Sequence, residues 1–178
     1  MRATRTGLVS LVSFVSLAAA AAPAIAGSYV SLGVGGDPAL QGDLQVAAGG
    51  DQGGNGRLAL GQRFGRLAIE ASLSRFAVPD DDATAAGIHA RLSFPLGGHF
   101  EAYGRLGLER LWLGDSTMTT VSGDASGYVG GGGLEYRLTA PILGSASIWA
   151  ELSQDTFTTE AGAEGGVRLW TLGASIGL

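Results

Sequence analysis

The chain has 178 residues, 11 basic against 16 acidic side chains for a formal charge of −5, and no cysteine. That balance excludes a disulfide framework, a thiolate metal site and a cysteine nucleophile, and an acidic chain is a poor ligand for nucleic acid. Glycine is abundant at 31 residues, but 46% of the chain is hydrophobic, which fits neither collagen nor a disordered polymer.

The first 26 residues read as a cleaved export signal. Arg2 and Arg5 precede an apolar run from Gly7 to Ala22, Pro23 breaks it, and Ala24-Ile25-Ala26 offers the small residues a signal peptidase requires. The run is short for a spanning helix, which needs about 20 apolar residues. The mature chain is therefore expected to begin at Gly27 and to form a single domain over residues 27–178. Losing two arginines and no acid takes its formal charge from −5 to −7.

From there the pattern has a period of two, the mark of strands with two unlike faces. Val30, Leu32 and Val34 alternate with Tyr29, Ser31 and Gly33; Leu58 and Leu60 with Arg57, Ala59 and Arg63. Leu67, Ile69 and Leu73 face opposite to Glu70 and Ser72, and Ile88, Leu92 and Phe94 opposite to His89 and Arg91. Phe100, Leu106 and Leu108 alternate with Glu101, Arg105 and Glu109; Leu134 and Leu138 with Glu135 and Arg137. Ile148 and Leu152 alternate with Trp149 and Glu151, and Trp170, Leu172 and Ile176 with Thr171 and Ser175.

About eight strands of this length predict an all-β fold, an antiparallel up-and-down transmembrane β-barrel. Short turns are expected at 64–66, 95–98 and 139–144, and longer polar loops at 36–55, 78–82, 114–124 and 154–163. Leu44, Val46 and Ala48 also alternate, but a strand over 43–49 would make the count odd, so they are read as part of the first loop.

The charges indicate which face meets lipid. Every aspartate falls in an expected loop, and the strand-borne acids share one parity with most of the arginines. Turned inward, Arg57, Arg63, Glu70, Arg91, Glu101, Arg105, Glu109, Glu135, Arg137 and Glu151 form a mixed-sign lumen network that has to pair. A soluble barrel would turn the same face to water; the export signal and the alternating last strand favour the membrane. Arg75, Arg110 and Arg168 lie on the opposite parity, near strand ends, where an arginine costs little. There they are candidates for binding the phosphates of lipopolysaccharide, with Trp112 and Trp170 as interfacial aromatics.

The run Gly130-Gly131-Gly132-Gly133-Leu134-Glu135-Tyr136-Arg137-Leu138, then Ile148-Trp149-Ala150-Glu151-Leu152, then the final strand Val167 to Leu178 resemble the closing half of small outer-membrane barrels. The resemblance is to the OmpA-like and opacity-protein type. It implies a cell outer membrane location, assembly by machinery of the Bam type through the last strand, and structural, adhesive or host-interaction roles. Such a final strand usually ends in an aromatic residue, and here it ends in Leu178.

Catalysis has little to work with. Barrel enzymes acting on outer-leaflet lipid set a histidine and a serine near the outer rim. His89 is expected in the lumen at mid-strand, and His99 in a turn at the opposite end. Asp80-Asp81-Asp82 could hold a divalent ion, but a solvated acidic turn explains it more simply. No catalytic residue, cofactor or metal ligand is assigned. The expected function is a non-catalytic surface or structural barrel whose acidic loops could meet an extracellular partner. A narrow gated pore is the alternative, and a lipid-modifying enzyme a more distant one.

Overall fold

The computed structural model describes residues 27–42, 53–78, 81–113, 124–140, 144–159 and 164–178. The expected signal segment and residues 43–49 lie outside them. Every regular element is a strand: β1 (Ser28–Gly35), β2 (Ala39–Gly42), β3 (Asn55–Phe64), β4 (Leu67–Val78), β5 (Asp81–Gly97), β6 (Phe100–Leu113), β7 (Asp124–Ala140), β8 (Gly144–Thr159) and β9 (Glu164–Gly177). Neighbours pair antiparallel in the order β1-β3-β4-β5-β6-β7-β8-β9, and β9 pairs back onto β1.

This is a closed barrel of eight staves, because β1 and β2 together make one. Val34 opposes Leu172 on β9, while Ala39 opposes Arg168. Five steps on the first stave thus match four on β9, so one extra residue is absorbed between them. Pro38 sits in that break, where a residue without an N–H does the ladder no harm. The first loop therefore starts later than the sequence pattern implies.

Following hydrogen-bonded partners once around shows the stagger. The path runs from Tyr29 through Gly61, Glu70, His89, Gly107, Val129, Asp155 and Val167 to Leu40, eleven residues further along the first stave. A stagger of this kind tilts the strands against the barrel axis. Eight strands then leave an interior that side chains can fill.

The expected facing is observed. Ile88, Leu106, Leu108 and Leu152 point outward and are 64–73% exposed. Phe64, Phe94 and Phe100 lie outward toward the short-turn end, and Trp112, Tyr128 and Trp170 outward toward the other. This is an apolar belt between two aromatic girdles. At the short-turn end, Gly65 takes a φ of +65°, a backbone state glycine adopts without a Cβ clash.

Several expected boundaries move. The turn expected at 95–98 is Gly98-His99, with β5 running through Pro95 to Gly97 past a bulge. β8 reaches Thr159 and β5 starts at Asp81, so Asp81, Asp82, Asp124 and Asp155 are strand residues, not loop residues. β5, β7 and β8 are 16–17 residues long. A tilted strand crosses a bilayer in about 9–11 residues, so the barrel wall continues beyond the belt at the long-loop end.

Candidate functional site

Period-two alternation brings all ten expected lumen residues to the inner face. Two carboxylates organise the middle of the network. Glu151 on β8 accepts from Arg57 Nη1 at 2.9 Å, from Arg105 Nη2 at 3.0 Å and from the Tyr103 hydroxyl at 3.0 Å. Glu70 on β4 accepts from Arg57 Nη2 at 2.8 Å and from the Tyr29 hydroxyl at 2.5 Å, with Arg91 Nη1 at 3.6 Å. Arg91 also pairs with Glu135. Nearer the short-turn mouth, Arg63 bridges Glu101 at 3.3 Å and Glu135 at 3.2 Å, and Arg137 donates to Glu101 at 2.9 Å. In the middle of the barrel these side chains are almost wholly buried, so each charge depends on its partners.

Aromatic side chains complete the packing, and the inward glycines make room for them. A Cβ on Gly61 would meet the Tyr29 ring, one on Gly133 the Tyr103 ring, and one on Gly33 or Gly173 the Trp149 ring. Trp149 donates its indole N–H to Ser31 at 3.0 Å and lies 5.6 Å from the Arg57 guanidinium. Arg91 stacks 3.6 Å from the Tyr103 ring. Within the glycine-rich run of β7, Gly133 makes room for the Tyr103 ring and Gly131 lies against Ser153.

Glu109 has a histidine, not an arginine, as its partner. His89 Nε2 lies 2.9 Å from Glu109 Oε1, and His89 Nδ1 lies 3.4 Å from Ser72 Oγ. A serine, a histidine and an acid in a row have the composition of an activated nucleophile. The serine–histidine contact is long, however, and all three are at least 93% buried. The internal void that Glu109 lines measures only about 10 Å³. A nucleophile needs room for the acyl or glycosyl group it attacks, and this one faces packed side chains.

Asp155, two residues beyond Ser153 on the inner face of β8, is 3% exposed and makes no ion pair with an arginine among the described residues. An unpaired buried carboxylate disfavours the folded state. Asp155→Asn, close to isosteric, is expected to leave the thermal midpoint of unfolding unchanged or to raise it. Glu151→Gln should lower it. Circular dichroism melts of the refolded proteins compare the two, and a large fall for Asp155→Asn would show that its charge is needed.

The interior closes differently at its two ends. At the short-turn end a cavity of about 630 Å³ opens between Tyr29, Arg63, His99, Glu135, Arg137 and Ser147. Its inner wall is the ion-pair layer. At the long-loop end Leu40, Phe76, Leu111, Phe157, Val167 and Leu169 meet inside the barrel, with small Ala83, Ala85 and Ala125 between them. The sequence reading did not foresee this apolar cap. Its signal was the continuation of each inner parity past the last charge: Glu70-Ser72-Ser74-Phe76, Glu109-Leu111, Asp155-Phe157.

The three outward arginines do not form one patch. Arg75 is on β4, Arg110 on β6 and Arg168 on β9, so they divide the eight staves into arcs of two, three and three. Arg75 pairs with Asp82 on the neighbouring strand, both half-exposed, and Arg168 Nε donates to Gln154 Oε1 at 3.3 Å. Asp82 is thus engaged by an arginine, and among the described residues no group of three or more His, Asp or Glu could hold a metal ion.

The comparisons agree with this architecture. The family model "Outer membrane protein beta-barrel domain" matches residues 7–175. Neisserial surface protein A is similar in structure, with a TM-score of 0.64 at 16% identity over 85% of this chain and 97% of that one. Ail of Yersinia pestis gives a TM-score of 0.47 at 16% identity, covering 85% and 99% of the two chains. OprG of Pseudomonas aeruginosa gives 0.47 at 12%, covering 85% and 95%. At such identities the likeness extends to the fold alone. No curated protein sequence matches the chain.

Proposed function

The chain belongs to the outer membrane protein beta-barrel domain family, and we propose that it is a closed barrel whose work is done at its surface. The observation that carries this reading is the interior. A buried layer of arginine–glutamate pairs fills the middle, and the apolar cap of Phe76, Leu111 and Phe157 lies beyond it. A solute crossing the barrel would have to separate buried ion pairs and then dislodge packed aromatic side chains. Both carry costs of several kcal/mol.

Function then falls to the long-loop end. The segments 43–52, 79–80, 114–123 and 160–163 contain Asp43, Asp51, Asp80, Asp115 and Glu160 and no arginine, lysine or histidine. In a barrel with both termini at the short-turn end, that end faces the periplasm and the opposite end, where these segments connect the strands, faces the outside. They suit a partner of basic character. Lipopolysaccharide contact through Arg75, Arg110 and Arg168 fits as separate phosphate contacts around the rim, since three staves at about 4.8 Å each separate the more distant pairs. Assembly through β9 by Bam-type machinery belongs to the same reading.

Liposomes carrying the refolded protein test the closed interior. They are expected to take up small neutral sugars no faster than protein-free liposomes. Uptake well above that level would favour the second reading, a narrow gated pore, which the wide cavity at the short-turn end supports as a half-open path.

A further inference from the structure

Between the ion-pair layer and the apolar cap lies a small internal void of about 10 Å³, lined by Asn55, Arg105, Glu109, Ser153, Asp155 and Thr171. Among the described residues, five polar atoms of its lining residues are buried and form no hydrogen bond with another protein group: Nε of Arg57, Nε and Nη1 of Arg105, Oε2 of Glu109 and Oδ1 of Asp155. Arg105, Glu109 and Asp155 come from β6 and β8, on either side of β7.

The chemistry of these atoms selects an occupant. A cation would suit the two carboxylates but would meet the N–H groups of Arg105. An anion would suit Arg105 and be repelled by the acids. A neutral group able to both donate and accept can meet donors and acceptors together. One water molecule offers two lone pairs and two protons, so it can accept from Arg105 and donate to both carboxylates. The volume also matches, since about 10–15 Å³ of this kind of space holds one water.

We propose that this void is a built hydration site for a single ordered water, which accepts from Arg105 and donates to Asp155 and Glu109. The water joins the charged layer to the residues just beneath the cap. Arg105 already holds Glu151 at 3.0 Å, and Glu109 holds His89 at 2.9 Å. It therefore extends the network from the middle of the barrel to Asp155, a buried acid that no arginine bridges among the described residues. Water in such a site is structural, and removing it leaves charged groups unsatisfied.

A high-resolution crystal structure of the refolded protein tests the site, alongside Ser153→Val and Ser153→Ala. The wild type is expected to show one density peak within hydrogen-bond distance of Arg105, Glu109 and Asp155. In Ser153→Val the added methyl groups take the volume, so the peak is lost and the unfolding midpoint falls by several degrees. Ser153→Ala removes the hydroxyl without filling the void, keeps the peak and falls less. The proposal is overturned if the wild-type void holds no density with Arg105 turned to pair directly with Asp155. It is equally overturned by an ion touching the carboxylates alone. If Ser153→Val does not fold, the wild-type and Ser153→Ala maps still decide. Ion conduction by the wild type would sink the proposed function and leave this site standing.

Discussion

Replacing Glu151 with alanine is expected to destabilise the barrel by about 3–5 kcal/mol, the usual cost of removing one partner from a buried ionic cluster. Glu151 is 6% exposed and takes hydrogen bonds from Arg57, Arg105 and Tyr103. Its loss strips Arg105 of its one ion-pair partner among the described residues and leaves Arg57 with Glu70 alone. Water reaches this depth poorly, so neither guanidinium is rehydrated in place. Urea unfolding in lipid vesicles, followed by tryptophan fluorescence, reads the change. A loss below about 1 kcal/mol would mean the network behaves like a set of solvated surface pairs, and the buried description of the interior would be wrong. Arg137→Ala is the internal contrast. Its side chain is 46% exposed at the mouth, and its removal should cost little.

The second large effect is steric. Gly173→Ala is expected to cost about 3 kcal/mol, at the upper end for forcing extra volume into a packed interior, and to impair closure of the barrel. A Cβ there would collide with the Trp149 ring and with the Leu32 carbonyl on the facing strand. The ring could turn aside only by giving up the bond from its indole to Ser31. The carbonyl belongs to the β1–β9 seam, where Leu32 opposes Ala174, and cannot move without opening it. Gly104→Ala is the matched control, because a Cβ there would point outward with its nearest neighbour, the Gly131 carbonyl oxygen, 4.0 Å away. The heat-modifiable shift of folded barrels on cold gel electrophoresis separates the two. Gly104→Ala should retain the folded band and Gly173→Ala should lose much of it. Equal bands would show that the interior around Trp149 yields.

The facing of each strand was readable because a period of two survives any fold that pairs the strands. Glu70, Arg91, Arg105 and Glu151 were legible as one inner cluster before any partner was known. The partners were not legible, since register and stagger decide that Arg57 reaches Glu70 and Glu151 while Glu109 meets His89. The upper wall was misread for a definite reason. Within the belt the inner face is polar and the outer apolar; beyond it the phases exchange. Gln154, Thr156 and Thr158 turn outward while Phe157 turns inward, and Arg75, Phe76 and Ala77 show the same reversal. Apolar-out alternation ends at that exchange, and from there the sequence predicts a loop. The same exchange puts Asp155 in an expected loop and hides the apolar cap. The break at Pro38 hid β2, because four residues after a proline give too little alternation to stand out.

The most direct test of the closed interior is single-channel recording of the refolded mature protein in planar bilayers, with Arg105→Ala beside the wild type. A silent wild type is the result expected of a barrel filled by ion pairs beneath an apolar cap. Steady wild-type openings, with ion selectivity changed by the substitution at Arg105, would contradict it and make the lumen a small pore.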